Sequence, residues 1–149
     1  MTQEVTELLQ EPDLQRILLV LGESKVGKST VLENIETKGS GKAKSFGLQY
    51  SYNELVYLNQ NIVANFYELG GGLKALPLMQ LPLNASNISD TSIFLLIDCT
   101  SIETAFNHLE LWLPQIVQQL EAKAAQLVSE GKKPLVDRLR EKRWETLGK

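Results

Sequence analysis

The sequence predicts an α/β domain on a doubly wound, mostly parallel sheet, and three consecutive segments carry that prediction. Arg16-Ile-Leu-Leu-Val-Leu21 is a short apolar run with β-branched members and reads as a buried strand. Gly22-Glu-Ser-Lys-Val-Gly-Lys-Ser29 follows at once, a full G-x-x-x-x-G-K-[ST] phosphate-binding loop. Thr30-Val-Leu-Glu-Asn-Ile-Glu36 then has helical spacing, with Val31, Leu32 and Ile35 on one side. Strand, glycine loop and helix in this order is the setting in which such a loop holds a phosphate.

The loop's chemistry follows from its backbone. Gly22 and Gly27 let the chain turn where a side chain would clash, so the N–H groups between them face inward. The helix that starts near Lys28 adds the positive end of its dipole. Lys28 then reaches the β- and γ-phosphates and the Ser29 hydroxyl ligates Mg²⁺. The phosphate-binding candidates are Gly22, Glu23, Ser24, Lys25, Val26, Gly27, Lys28, Ser29 and Thr30. The other reading is a retained loop that serves packing or holds its nucleotide only structurally.

The remaining elements follow in chain order. Val5, Leu8 and Leu9 suggest a short amphipathic helix before Pro12. Lys38-Gly-Ser-Gly-Lys-Ala-Lys44 reads as a glycine- and lysine-rich loop. Gly47 to Leu55 and Leu58 to Glu68 are rich in Tyr, Val and Ile, with Asn59-Gln-Asn61 between them, and predict a hairpin. Gly70-Gly71-Gly72 and a Leu/Pro-rich stretch lead to Thr91-Ser-Ile-Phe-Leu-Leu-Ile-Asp98. That run is continuously apolar and ends in an acid, as expected of a central strand covered on both faces. Phe106, Leu109, Leu113, Ile116, Leu120, Ala124 and Leu127 then form a helical stripe expected to face the core. Pro114 should kink or interrupt that helix. The tail from Lys132 carries seven Lys/Arg against three Asp/Glu, and Leu135, Val136, Leu139 and Leu147 can share a helix face. The organisation read from this is an N-terminal segment (1–14), the phosphate-loop domain (15–131) and a basic C-terminal helix or insertion (132–149).

Composition narrows the class. A chain of 149 residues, 43% hydrophobic and 22% charged, suits one globular domain. A net charge of −3 argues against general nucleic-acid binding. The single cysteine, Cys99, excludes an internal disulfide and reads as a small packing residue in a reducing compartment. The opening Met-Thr-Gln-Glu-Val-Thr-Glu is acidic and polar, unlike a signal peptide, and no apolar run reaches membrane-spanning length. His108 has no second His or Cys near it, and Trp112 and Trp144 read as packing anchors. A P-loop kinase would need substrate-site arginines, and Arg16 is the only one before Arg138.

The order of elements resembles the first part of a Ras-like P-loop NTPase domain. By that resemblance Ser45 is the candidate to complete the Mg²⁺ shell with Ser29. The second switch of such domains reads Asp-x-x-Gly-Gln, where this chain has Glu68-Leu69-Gly70-Gly71-Gly72. Glu68 takes the place of the acid that holds Mg²⁺ through water, and Gly71 offers its N–H to the γ-phosphate. Gly72 stands where the water-orienting glutamine belongs and has no side chain for that task, so hydrolysis is expected to be weak or absent. No Asn-Lys-x-Asp follows Asp98, so the base, guanine or adenine, is left open, and the sheet reads as cut off before its last strands.

Leu48-Gln-Tyr-Ser-Tyr52, Glu68-Leu-Gly-Gly-Gly72 and the strand ending at Asp98 are similar to one family in particular, the dynein light intermediate chains, and most to its dynein-2 branch. Those proteins carry Leu-Glu-Tyr-Thr-Tyr, Trp-Glu-Leu-Gly-Gly-Gly and Leu-Asp-Leu-Ser strings at these places. Leu48, Tyr50, Tyr52, Glu68 and Gly70 to Gly72 match, while Gln49, Ser51 and Tyr67 replace Glu, Thr and Trp. The resemblance spans roughly residues 15 to 147. It implies a non-catalytic subunit of the cytoplasmic dynein-2 motor that binds the heavy chain alongside other dynein-2 subunits. It also implies service on intraflagellar transport trains, with a location in cytoplasm, cytoskeleton and cilium (axoneme and basal body). The alternative from the residues alone is an independent small GTPase-like switch.

Overall fold

A computed structural model describes residues 14–35, 42–43 and 47–147. The expected helix around Val5 to Leu9, and Ser45, lie outside the described residues. The chain forms β1 (Leu14–Gly22), α1 (Lys28–Ile35), β2 (Lys42–Ala43), β3 (Leu48–Tyr57) and β4 (Gln60–Leu69). Two 3₁₀ segments (Gly72–Gln80 and Ile88–Asp90), β5 (Thr91–Leu96), α2 (Ile102–Ser129) and α3 (Lys133–Leu147) complete it.

The sheet runs in the order β2-β3-β4-β1-β5. β1 pairs parallel with both β4 and β5, whereas β3 pairs antiparallel with β4 and β2 with β3. The sheet is therefore mixed rather than mostly parallel. The hairpin is the cause, because its tight turn forces β3 to run against β4. Leu58 (φ 49°) and Asn59 (φ 63°) make the whole two-residue loop, and Tyr57 pairs directly with Gln60. Two consecutive positive φ values give the primed turn whose twist matches the flanking strands. The turn thus falls at Leu58 and Asn59 and not at Asn59 to Asn61 as expected, with a leucine in a conformation that leucines rarely adopt.

β1 lies between β4 and β5, and its period of two feeds two cores. Leu19 and Leu21 point to one face, where Leu69, Leu76, Met79, Leu83, Trp112 and Ile116 bury against them from β4, the 3₁₀ layer and α2. Val20 points to the other face, with Phe66 of β4 and Leu32 of α1. Each such side chain contributes about 1.5–3 kcal/mol relative to an exposed one. Among the described residues β5, expected at the centre, is the outermost strand, beside β1, and its Phe94 is half exposed. Cys99 follows it and is exposed, not packed as expected.

α2 begins at Ser101, whose hydroxyl accepts from Thr104 N at 3.3 Å. It ends where Gly131 (φ 79°) donates to Val128 O and Lys132 N donates to Leu127 O at 2.8 Å, closing the last turn. The helix runs unbroken through Pro114, flanked by Trp112 and Ile116 on the core side. Its buried face is Trp112, Ile116, Lys123 and Leu127. Phe106 (63% exposed) and Leu113 (50%) from the expected stripe face outward instead. The indole of Trp112 takes the core position and rotates the helix relative to the leucine spacing. Lys123 enters that face by carrying its ammonium to Gln80 O and Gln126 Oε1. α3 packs back through Val136, and Arg140 meets Glu121 of α2 at 2.8 Å on the surface.

Candidate functional site

The phosphate loop lies between the C-terminal end of β1 and the first turn of α1. Gly22 has φ 144°, and a Cβ there would stand 2.5 Å from Leu96 O of the paired strand β5. Lys25 (φ 66°) and Gly27 (φ 97°) are also left-handed, and Val31 N donates to Gly27 O at 3.0 Å to open the helix. Lys28 is buried under this loop. Its Nζ donates to Gly22 O at 2.9 Å and Glu23 O at 2.7 Å. Burial pushes its pKa below the usual lysine value, against the opposing pull of the Glu68 and Glu23 carboxylates.

Parallel pairing of β1 with β4 sets Glu68 beside Val20, two residues before the loop. From there the Glu68 carboxylate accepts from Ser29 Oγ at 2.6 Å. A hydroxyl and a carboxylate at this distance form a hard-oxygen pair of the kind Mg²⁺ prefers. The described residues contain no cluster of three or more His, Cys, Asp or Glu suited to a metal, so a cation reading rests on Ser29 and Glu68.

The glycine run after β4 opens the 3₁₀ segment. Gly70 N donates to Gly47 O at 2.8 Å, and Gly71 (φ 85°) precedes the first 3₁₀ residue. Gly71 also lines a cleft of about 570 Å³ with Gly47, Gln49, Lys74 and Leu78, between the start of β3 and the 3₁₀ segment. Gly72 (φ 63°) is buried, and a Cβ on it would lie 3.3 Å from Glu23 Oε2.

The fold thus brings Gly22, Glu23, Lys28, Ser29 and Glu68 together, while Ser24, Lys25 and Thr30 lie exposed around the loop and Val26 is half-buried. Trp112 belongs to the same neighbourhood in a way the sequence did not reveal. Its Nε1 donates to Glu23 Oε1 at 3.0 Å, across 89 positions of chain. No spacing signals such a contact; only the packing of α2 under the loop creates it. His108 is half-buried on α2, and its Nδ1 has no hydrogen-bond partner among the described residues.

A parallel strand pair, a left-handed glycine loop, a buried lysine at a helix start and a serine–carboxylate contact define a phosphate-loop-like α/β domain. A profile of the dynein light intermediate chain family matches residues 6–146. The chain belongs to that family. It is 26% identical to the zebrafish (Danio rerio) cytoplasmic dynein 2 light intermediate chain 1 over 119 residues, 78% of this chain and 33% of the relative. Identity to the cattle (Bos taurus) protein of the same name is 23% over 145 residues, 91% of this chain and 39% of the relative. The human protein shows 21% over 144 residues with the same coverage. The chain thus spans about a third to two-fifths of the length of the curated relatives it matches.

Proposed function

We propose that the chain is a non-catalytic light intermediate chain of the cytoplasmic dynein-2 motor. In this role it binds the dynein heavy chain with other dynein-2 subunits and serves retrograde intraflagellar transport and cilium assembly. The family match over residues 6–146 carries this reading, and the relatives' shared name points to dynein 2. The location that goes with it is cytoplasm, cytoskeleton and cilium. Among the described residues no helix is long and apolar enough to cross a membrane.

Within that role the phosphate loop is a nucleotide-binding anchor. A nucleotide, guanine or adenine, would lie with its phosphates along Gly22 to Ser29, and Lys28 and the first turn of α1 would supply positive charge. Mg²⁺ would take Ser29 and Glu68 as ligands, directly or through water, with Ser45 as the further candidate. When bound, the cation neutralises phosphate charge. Gly71 would offer its N–H to the terminal phosphate. Gly72 leaves no side chain to orient a water, which supports weak or absent hydrolysis.

The intact loop favours one other reading, an independent GTPase-like switch. GTP turnover by the purified chain with Mg²⁺, beside Lys28→Ala, separates the two. The subunit reading expects turnover no higher than in Lys28→Ala. Turnover that depends on Lys28 and reaches ordinary GTPase rates would replace it with the switch.

A further inference from the structure

Glu23 faces two ways. It is the second residue of the phosphate loop, and its backbone carbonyl accepts from Lys28 Nζ at 2.7 Å. Its carboxylate has a separate partner: Oε1 accepts from Trp112 Nε1 at 3.0 Å. Oε2 lies 3.3 Å from where a Cβ at Gly72 would be. Trp112 is wholly buried and Gly72 is buried, so both of these neighbours belong to the packed interior. One side chain therefore joins the loop, the glycine run after β4 and the core face of α2.

We infer that Glu23 is a positioning residue that transmits occupancy of the phosphate loop to helix α2. This regulation rests on the nucleotide-binding reading. A phosphate arriving at Lys28 competes for the ammonium with the Gly22 and Glu23 carbonyls. An ionic acceptor makes the stronger bond, so Lys28 turns to the phosphate and the Glu23 carbonyl keeps only the longer bond from Val26 N, at 3.4 Å. The movement reaches Trp112 because the interior around the indole is close-packed and transmits displacement instead of absorbing it. α2 is the output: it also presents exposed Phe106 and Leu113 to solvent, and its placement follows that of Trp112.

The test uses the full chain carrying Trp144→Phe, which leaves Trp112 as the sole indole. Its indole ¹H–¹⁵N resonance is followed while GDP with Mg²⁺, or inorganic pyrophosphate, is added, and calorimetry on the same samples measures binding. The expected result is a saturable shift of the Trp112 peak that tracks the calorimetric isotherm. In Glu23→Ala at saturation the peak stays at its free position. Glu23→Gln keeps the volume and an oxygen that accepts from the indole, and it restores the shift. Thermal melts confirm that each variant is folded. Binding with an unmoved peak overturns the coupling and leaves the nucleotide reading intact. No binding of either ligand overturns both. A shift that persists in Glu23→Ala overturns the relay, and loss of binding in that variant makes the carboxylate a ligand and overturns it equally.

Discussion

Gly22 and Gly27 offer a paired perturbation of the phosphate loop. Both have left-handed φ values, 144° and 97°, so alanine at either carries backbone strain. That strain costs about 1–3 kcal/mol at such positions. Their surroundings differ. Among the described residues a Cβ at Gly27 meets nothing within 4 Å, whereas one at Gly22 stands 2.5 Å from Leu96 O. Leu96 is the register partner of Gly22 in the β1–β5 pair, so its carbonyl cannot withdraw without opening the end of that ladder. The extra overlap adds about 1–3 kcal/mol, the usual cost of overpacking. Gly22→Ala is therefore expected to lose about 3–4 kcal/mol in all and Gly27→Ala about half of that. For a chain of this size 1 kcal/mol moves Tm by roughly 2–4 °C. Thermal unfolding by circular dichroism should place Gly22→Ala at least about 3 °C below Gly27→Ala. Equal melting temperatures would refute the claim that β5 sets the shape of the loop's first glycine.

The other expectations concern charge, packing and the glycine after β4. Lys28 has its pKa lowered in the fold, so the unfolded chain binds its proton more tightly between the folded value and 10.5. Stability of the native chain relative to Lys28→Met should rise as pH climbs through that window, and melts taken from neutral pH upward would reveal a flat difference if Lys28 were solvated. Phe106→Ser, on the outward side of α2, should change stability by less than about 0.5 kcal/mol. Ile116→Ala on the inward side should cost about 2–5 kcal/mol. Similar losses by urea unfolding would mean that the helix is rotated otherwise. Gly72→Gln combines φ 63° with a Cβ 3.3 Å from Glu23 Oε2. It should cost about 1–2 kcal/mol from the left-handed backbone alone and confer no GTP turnover. A stable, hydrolytic Gly72→Gln chain would show that residue 72 has room to work.

Much of the candidate site was legible because its residues are local in sequence. Gly22 to Ser29 are contiguous, and strand β1 and helix α1 flank them as the motif requires. Glu68 was reachable too, because the string Glu-Leu-Gly-Gly-Gly marks the end of the strand that pairs with β1. The errors arose where the fold decides between neighbours. Leu113 and Trp112 are adjacent on a helix and either could lead its buried face; the larger indole took the core. Leu58 looked like strand because local propensity does not anticipate a leucine at positive φ. Thr91 to Leu96 is apolar enough for a central strand, yet position within a sheet is a property of topology and not of one segment's composition. The Glu23–Trp112 bond joins residues that only the packing of α2 under the loop brings together.

In the proposed role as a motor subunit, docking of the chain does not depend on nucleotide turnover. This is tested most directly by co-expressing the chain with the tail of the dynein-2 heavy chain and measuring the ratio recovered after affinity purification and gel filtration. The account predicts a single complex for the native chain and for Lys28→Ala alike, with both folded by circular dichroism. A native chain that elutes alone, leaving the heavy-chain tail unbound, would contradict it.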